Sequence, residues 1–321
     1  MSGSTKEKYK KACEQNSIPL FAQDWWLDAV CGEHGWDVIV LEKGGRVVAT
    51  LPFTYRRRFG LTVLGMPPLT QTLGPWIKYP TSQKLGKKYS LEKDVLSDLI
   101  GRLPVSSGFS ENFNSDFTNW LPFYWNGFNQ TTNYTYVLDD ISDTDEVWAG
   151  FLENIRTDIR KAEKIVKCIE DPNFDTFWQC HVKVFSRQDI HVPYDESLAR
   201  RLDDAARQRE RRKIFLAVDE LGRVHAGVYI VWDSERAYYL MGAGDPELRS
   251  SGATSFLIWK AIQFASSVTK SFDFEGSMIE PIERFFRGFG ARQVPYFRVS
   301  RYGKAITIAN AAKQILQSFT K

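Results

Sequence analysis

Two carboxylates and a hydroxyl stand close together in Phe272-Asp273-Phe274-Glu275-Gly276-Ser277. Rings alternate with carboxylates, so on a strand Asp273 and Glu275 share one face while Phe272 and Phe274 take the other. Like charges held this near raise one pKa, and a carboxylate in a half-apolar cleft is suited to take a proton from an amine. Glu275 is the candidate base, because it stands at Gly276-Ser277, where the strand should end. Asp273 is its partner, and Ser277 is a further candidate at the same end. The competing role is bracing, with both carboxylates neutralising Arg284, Arg287 or Arg292. No histidine lies near Ser277 in the sequence, so direct transfer fits better than a covalent route.

A second chemistry-bearing stretch precedes it. Ala237-Tyr238-Tyr239-Leu240-Met241-Gly242-Ala243-Gly244 has strand character, and Arg249-Ser250-Ser251-Gly252-Ala253-Thr254 reads as a tight turn. The residues that follow, with Phe256, Leu257, Trp259, Ala261, Ile262, Phe264 and Ala265, are too densely apolar for an exposed helix. The first amides of such a helix lack intrahelical acceptors, and the helix dipole adds positive charge there. Gly252 and Ala253 carry no bulk and Arg249 lies beside them, which suits a pyrophosphate; a simple helix cap is the other reading.

Strand, turn and buried helix must be positioned by a larger fold, and the motifs resemble a known one. Arg249-x-x-Gly252-x-Thr254 after a glycine-containing strand, with Phe285-Phe286-x-x-Phe289-Gly290 further on, resembles the GNAT N-acyltransferases. Asn154-Ile155-Arg156-Thr157-Asp158-Ile159-Arg160-Lys161-Ala162-Glu163-Lys164, taken with the Phe272 to Ser277 and Phe285 to Gly290 stretches, is similar to the Fem-like branch of that superfamily. That branch includes peptidoglycan-bridge aminoacyltransferases and acetyltransferase-like proteins of envelope and exopolysaccharide synthesis. The resemblance runs from about Glu146 to the C-terminus. It implies acyl transfer to an amine from acyl-CoA, with Arg249, Ser250, Ser251, Gly252, Ala253 and Thr254 holding the pyrophosphate. It also implies strand separation near Tyr239, Gly242 and Ala243 to receive the pantetheine arm. Thr254 stands where the family loop ends in Gly or Ala, and Phe286 stands where many members carry a tyrosine acid. A phenyl ring cannot protonate a leaving thiolate.

Composition bounds the rest. A length of 321 residues suggests two domains, and 43% hydrophobic residues supply cores for both. Net charge is only +3, so no global attraction to nucleic acid is expected, although Arg56-Arg57-Arg58, the Arg156 to Lys167 helix and the Arg207 to Lys213 run are locally basic. Cys13, Cys31, Cys168 and Cys180 form no C-x-x-C pair, and the histidines show no zinc-ligand spacing, so no metal is expected. The polar Met1 to Lys11 stretch lacks a signal-peptide core, and no run reaches the length of a membrane span. A soluble cytoplasmic protein is the expectation.

The chain also contains a repeat. Gly45-Arg46-Val47-Val48-Ala49-Thr50-Leu51-Pro52-Phe53 aligns without gaps on Gly222-Arg223-Val224-His225-Ala226-Gly227-Val228-Tyr229-Ile230, and the same offset places Gly65 on Gly242. The expected fold is therefore α/β, a tandem duplication of two GNAT-like units over 1–140 and 141–321, with a boundary near Asp139 to Glu146 and a helix cap at Ser142. After Gly65 the first copy runs into Met66-Pro67-Pro68, where proline removes N–H donors, so the donor site is assigned to the second unit.

Acceptor recognition has two candidates. Arg156, Arg160 and Lys164 at helical spacing form a basic stripe, with ordinary surface pairing as the competitor. Trp120 and Tyr124 lie in an aromatic, Asn-rich stretch suited to stacking on a sugar, although most of its rings should fill core. The expected activity is N-acyl transfer, with acetyl as the expected group, to an amine on a glycan or peptide envelope precursor. The alternatives are a Fem-type enzyme with aminoacyl-tRNA as partner, and a silent binding module of the same fold.

Overall fold

The computed structural model describes residues 4–58, 60–186, 191–304 and 306–307. Part of the Met1 to Lys11 stretch therefore lies outside the described residues. The chain forms two compact units: one takes the chain up to Asn133 and again from Tyr296, the other takes Tyr134–Pro295. The 140/141 division read from the sequence lies near the first of these boundaries and does not include the return at Tyr296.

The first unit contains α1 (Thr5–Gln15), α2 (Asp24–Cys31), β1 (Trp36–Lys43), β2 (Arg46–Arg58), β3 (Leu61–Gly65), β4 (Trp76–Ile77), α3 (Leu85–Gly101), β5 (Gly108–Asn112) and α4 (Leu121–Trp125). β1 and β2 form the expected hairpin, with Gly44 and Gly45 at φ +57° and +72°. That pair of left-handed residues is what a two-residue turn between twisted strands requires. β2 pairs antiparallel with β3, and β3 pairs parallel with β5. Ile39, Leu51, Leu64, Phe109, Phe113 and Phe123 fill the core between this sheet and the α3 and α4 helices.

Within the second unit and at its edges lie β6 (Asn129–Leu138), α5 (Thr144–Gly150), α6 (Glu153–Ala162), β7 (Val166–Glu170), α7 (Phe174–Ser186), α8 (Glu196–Arg207), β8 (Arg212–Asp219), β9 (Val224–Trp232), β10 (Arg236–Gly244), α9 (Ala253–Ala265), β11 (Ser271–Asp273), α10 (Glu280–Arg287) and β12 (Arg292–Tyr302). β7, β8, β9 and β10 run antiparallel in turn, and β10 pairs parallel with β11. The two sheets thus repeat one another: β1-β2-β3 then parallel β5 matches β8-β9-β10 then parallel β11. β11 is flanked by β6, and β5 by β12, so each unit takes as its next strand one that follows the other unit's parallel strand in sequence. The fold is α/β with duplicated GNAT-like units, as the repeat implied.

α9 is buried along nearly its whole circumference, with Phe256, Leu257, Ile258, Trp259, Ala261 and Ile262 packed in the core, which accounts for its apolar composition. Two local expectations need correction. The helix expected through Lys167 stops at Ala162, so Lys164 sits in a turn and Lys167 on β7. Continuing the helix would have cost Val166 its buried place and its pairing with β8. The cap of α5 is Asp143 rather than Ser142; its carboxylate accepts from the backbone N–H of Asp145 and Glu146 at 2.9 and 3.1 Å.

Candidate functional site

β10 and β11 pair only from Arg236↔Ser271 to Tyr238↔Asp273, after which β10 continues to Gly244. Among the described residues no strand pairs with that edge of β10 beyond Tyr238. Its register with β9 also shifts between Tyr239 and Met241. From Tyr238 on, β10 and β11 part, opening the sheet along Tyr239, Gly242 and Ala243. In the first unit, β3 and β5 stay paired through Gly65↔Ser110, and Gly65 is the residue aligned with Gly242. Only the second copy opens there.

The carboxylates lie at the β11 side of this opening. Asp273 is buried and held on three sides: Thr135 Oγ1 donates to Oδ1, the Glu275 N–H donates to Oδ1 at 2.8 Å, and an Arg236 guanidinium nitrogen lies 3.6 Å from Oδ2. The Thr135 and Arg236 contacts tie β11 to β6 and β10. Glu275 stands in the left-handed region at φ +59°, unusual for a residue with a Cβ. Gly276 follows at φ +63°, where a Cβ would lie 2.2 Å from the Tyr134 carbonyl oxygen. Burial, and then the charge of Asp273, hold the Glu275 carboxyl well above its ordinary value of 4.5. Ser277 Oγ accepts from the Ile279 N–H at 3.0 Å, turning the chain into α10.

A pair that sequence reasoning missed faces the same opening. His181 on α7 is 3% exposed. Its Nδ1 is 2.6 Å from the Gly242 carbonyl oxygen and its Nε2 is 2.9 Å from the Tyr194 hydroxyl. A carbonyl only accepts, so Nδ1 carries the proton and Nε2 accepts from Tyr194. Burial lowers the His181 pKa, favouring that neutral ring. Burial and then Glu275 push the Tyr194 phenol up, so Tyr194 and Glu275 feel one another. Nothing in the spacing of His181 and Tyr194 signals this; only the packing of α7 against β10 joins them.

On the far side of the opening, Arg249 and Thr254 line a cavity of about 550 Å³ together with Gly244, Asp245 and His225. Gly252 has φ +77° and caps α9, and a Cβ there would lie 2.4 Å from the Asp158 carbonyl oxygen. Its smallness is thus demanded by close packing on α6. Lys161 Nζ donates to the Ser250 carbonyl at 2.5 Å, and Ser251 Oγ accepts from the Ala253 N–H at 3.4 Å. Ala253 and Ser251 are buried, while Thr254, Ser250 and Arg249 reach the surface.

The remaining candidates are placed as follows. Arg156 and Arg160 both bind Glu153, at 2.9 and 3.1 Å, and Arg160 lies over the Trp148 ring. Trp120 lines a cavity of about 670 Å³ within the first unit, with Tyr89, Lys93, Asn119 and Trp125. Tyr124 packs edge-on against Trp120, and Phe123 and Phe128 are core. Phe286 is buried against Tyr239 and Phe274.

Residues 149–277 match the model of the acetyltransferase (GNAT) domain. The chain has the GNAT fold. The crystal structure of FemX superposes with a TM-score of 0.67 at 12% identity, covering 92% of this chain and 96% of FemX. L-PGS from Bacillus licheniformis gives a TM-score of 0.55 at 10% identity, covering 97% of this chain and 95% of that one. The C-terminal domain of a protein from Agrobacterium fabrum assigned as a lysylphosphatidylglycerol synthetase gives 0.55 at 13% identity, with the same two coverages. No curated protein matches the sequence. The likeness to FemX extends the GNAT fold beyond the matched residues to both units. GNAT domains typically use acetyl-CoA or another acyl-CoA. Among the described residues no cluster of His, Cys, Asp or Glu could hold a metal ion, and no helix is long and apolar enough to cross a membrane.

Proposed function

We propose that the protein is an N-acyltransferase that moves an acyl group, acetyl in the simplest case, from acyl-CoA to an amine on a cell-envelope or polysaccharide precursor in the cytoplasm. The observation that carries this reading is the parting of β10 from β11 after Tyr238, beside the α9 N-terminus, in the second unit alone. An extended pantetheine arm follows the stretch of β10 that β11 no longer pairs. The first amides of α9, with Arg249 and Thr254, receive the pyrophosphate.

The acyl carbonyl then lies between the β10 edge and the Glu275 end of β11. In the first unit taken by itself, the Trp120 cavity has rings and an Asn119 amide suited to a sugar face and its hydroxyls. Arg156, Arg160 and Lys164 supply a basic edge, weakened by the pairing of both arginines with Glu153.

The likeness to FemX favours one other reading, a donor delivered as aminoacyl-tRNA. Calorimetric titration with CoA and acetyl-CoA separates the two. Saturable binding that falls in Arg249→Ala supports the CoA reading. No binding by the folded parent, with tight aminoacyl-tRNA binding that weakens steeply as salt rises, replaces it.

A further inference from the structure

We infer that Tyr194 and His181 form the proton relay of the transfer step, Tyr194 touching the acceptor amine and His181 holding the proton behind it. This rests on the acyltransferase reading above. Three observations carry it: the unbroken chain from the Gly242 carbonyl through both ring nitrogens of His181 to the Tyr194 hydroxyl, the position of Gly242 on the open edge of β10, and the partial exposure of Tyr194 in front of a buried His181.

The hydroxyl proton of Tyr194 points at Nε2, so the phenolic lone pairs are left to accept from an incoming N–H. The amine lone pair attacks the thioester carbonyl, the C–N bond forms, and the C–S bond breaks with its electron pair going to sulfur. The amine proton passes to the Tyr194 oxygen as the tyrosine proton passes to His181 Nε2. The resulting imidazolium is held through Nδ1–H by the Gly242 carbonyl. Return of that proton through Tyr194 to the thiolate restores the neutral ring and releases the free thiol. One couple thus serves both proton steps, and a tyrosine at Phe286 is not needed.

Glu275 has a different part. Its carboxyl is held in the protonated, neutral form by burial and by Asp273, so it places no charge beside the relay and takes no proton in the transfer. The groups facing His181 are Tyr194 with Glu275 behind it, the Gly242 carbonyl from β10, the rings of Phe177, Trp178 and Phe185, and, further along α7, the Lys183–Asp245 pair at 3.0 Å. Burial favours neutral His181, so the relay is competent from below the ordinary histidine pKa of 6.5 upward.

Two variants test it. Tyr194→Phe removes the relaying oxygen, and His181→Gln offers Tyr194 a carbonyl acceptor that takes no proton. Each should bind CoA as the parent does and lower kcat by about 100-fold, the range of lost acid–base catalysis, with KM for acyl-CoA unchanged. The acid limb of the parent pH profile should vanish in His181→Gln. Nitrogen NMR of the imidazoles should show Nδ1 protonated and Nε2 accepting, with the Nε2 shift moving in Tyr194→Phe. Variants that keep pace with an active parent, or an Nε2-protonated His181, overturn the relay. A folded parent that transfers no acyl group from any thioester overturns the proposed function, and the relay with it.

Discussion

Asp273 Oδ1 accepts the backbone N–H of Glu275 at 2.8 Å, and through that bond a buried aspartate fixes a glutamate in the left-handed region. Left-handed backbone on a residue with a Cβ is costly and persists only where its surroundings impose it. Thr135 and Arg236 hold the aspartate from the other side. Replacing it should therefore undo more than one contact. Asp273→Ala leaves buried donors without their acceptor and should cost about 2–4 kcal/mol. Urea unfolding reads this directly, and a variant as stable as the parent would remove the brace.

Glu275 gives a pH prediction. Its carboxyl is held above 4.5 by burial and by Asp273, so the folded state binds a proton that the unfolded chain has already lost. The stability it contributes is complete below the unfolded pKa and declines as pH rises through the raised folded pKa. Glu275→Gln removes this slope. The variant should gain on the parent in Tm as pH rises from 5 through 8, and parallel Tm curves would contradict it.

The duplication was legible because a β-hairpin repeats its turn chemistry: Gly45 and Gly222 both sit at positive φ. α9 and its turn were legible for a similar reason, since a helix buried all round leaves an unbroken apolar record in the chain. His181 and Tyr194 were not legible, because their partnership depends on which face of α7 lands on β10, a fact of tertiary packing. The end of α6 was also hidden: helical charge spacing continues through Lys164, while the pairing of Val166 with β8 decides where the chain must straighten.

Gly252 was read for its lack of bulk beside an anion, and the structure supplies a second, stronger reason. The Asp158 carbonyl sits 2.4 Å from where a Cβ would be, and φ is +77°. Gly252→Ala should lose about 2 kcal/mol or more from left-handed strain and from parting α6 and α9. Arg249→Ala touches neither and should leave Tm unchanged while weakening CoA binding by about tenfold, the worth of a charge-assisted hydrogen bond. Equal Tm losses in the two variants would show that Arg249 braces the turn.

The two aligned glycines separate the units functionally. At Gly242 a Cβ would meet the Tyr239 hydroxyl at 2.1 Å, so Gly242→Ala must displace a phenol packed between β10 and Phe286. At Gly65 the nearest atom is the Ser110 carbonyl oxygen at 3.2 Å, a contact that small shifts relieve. Both substitutions add one methyl group to equivalent strands. If the donor lies along β10, Gly242→Ala should weaken CoA binding at least tenfold and Gly65→Ala should leave it unchanged. Loss of binding in Gly65→Ala, with the fold intact by circular dichroism, would move the donor to the first unit despite its closed β3–β5 pairing.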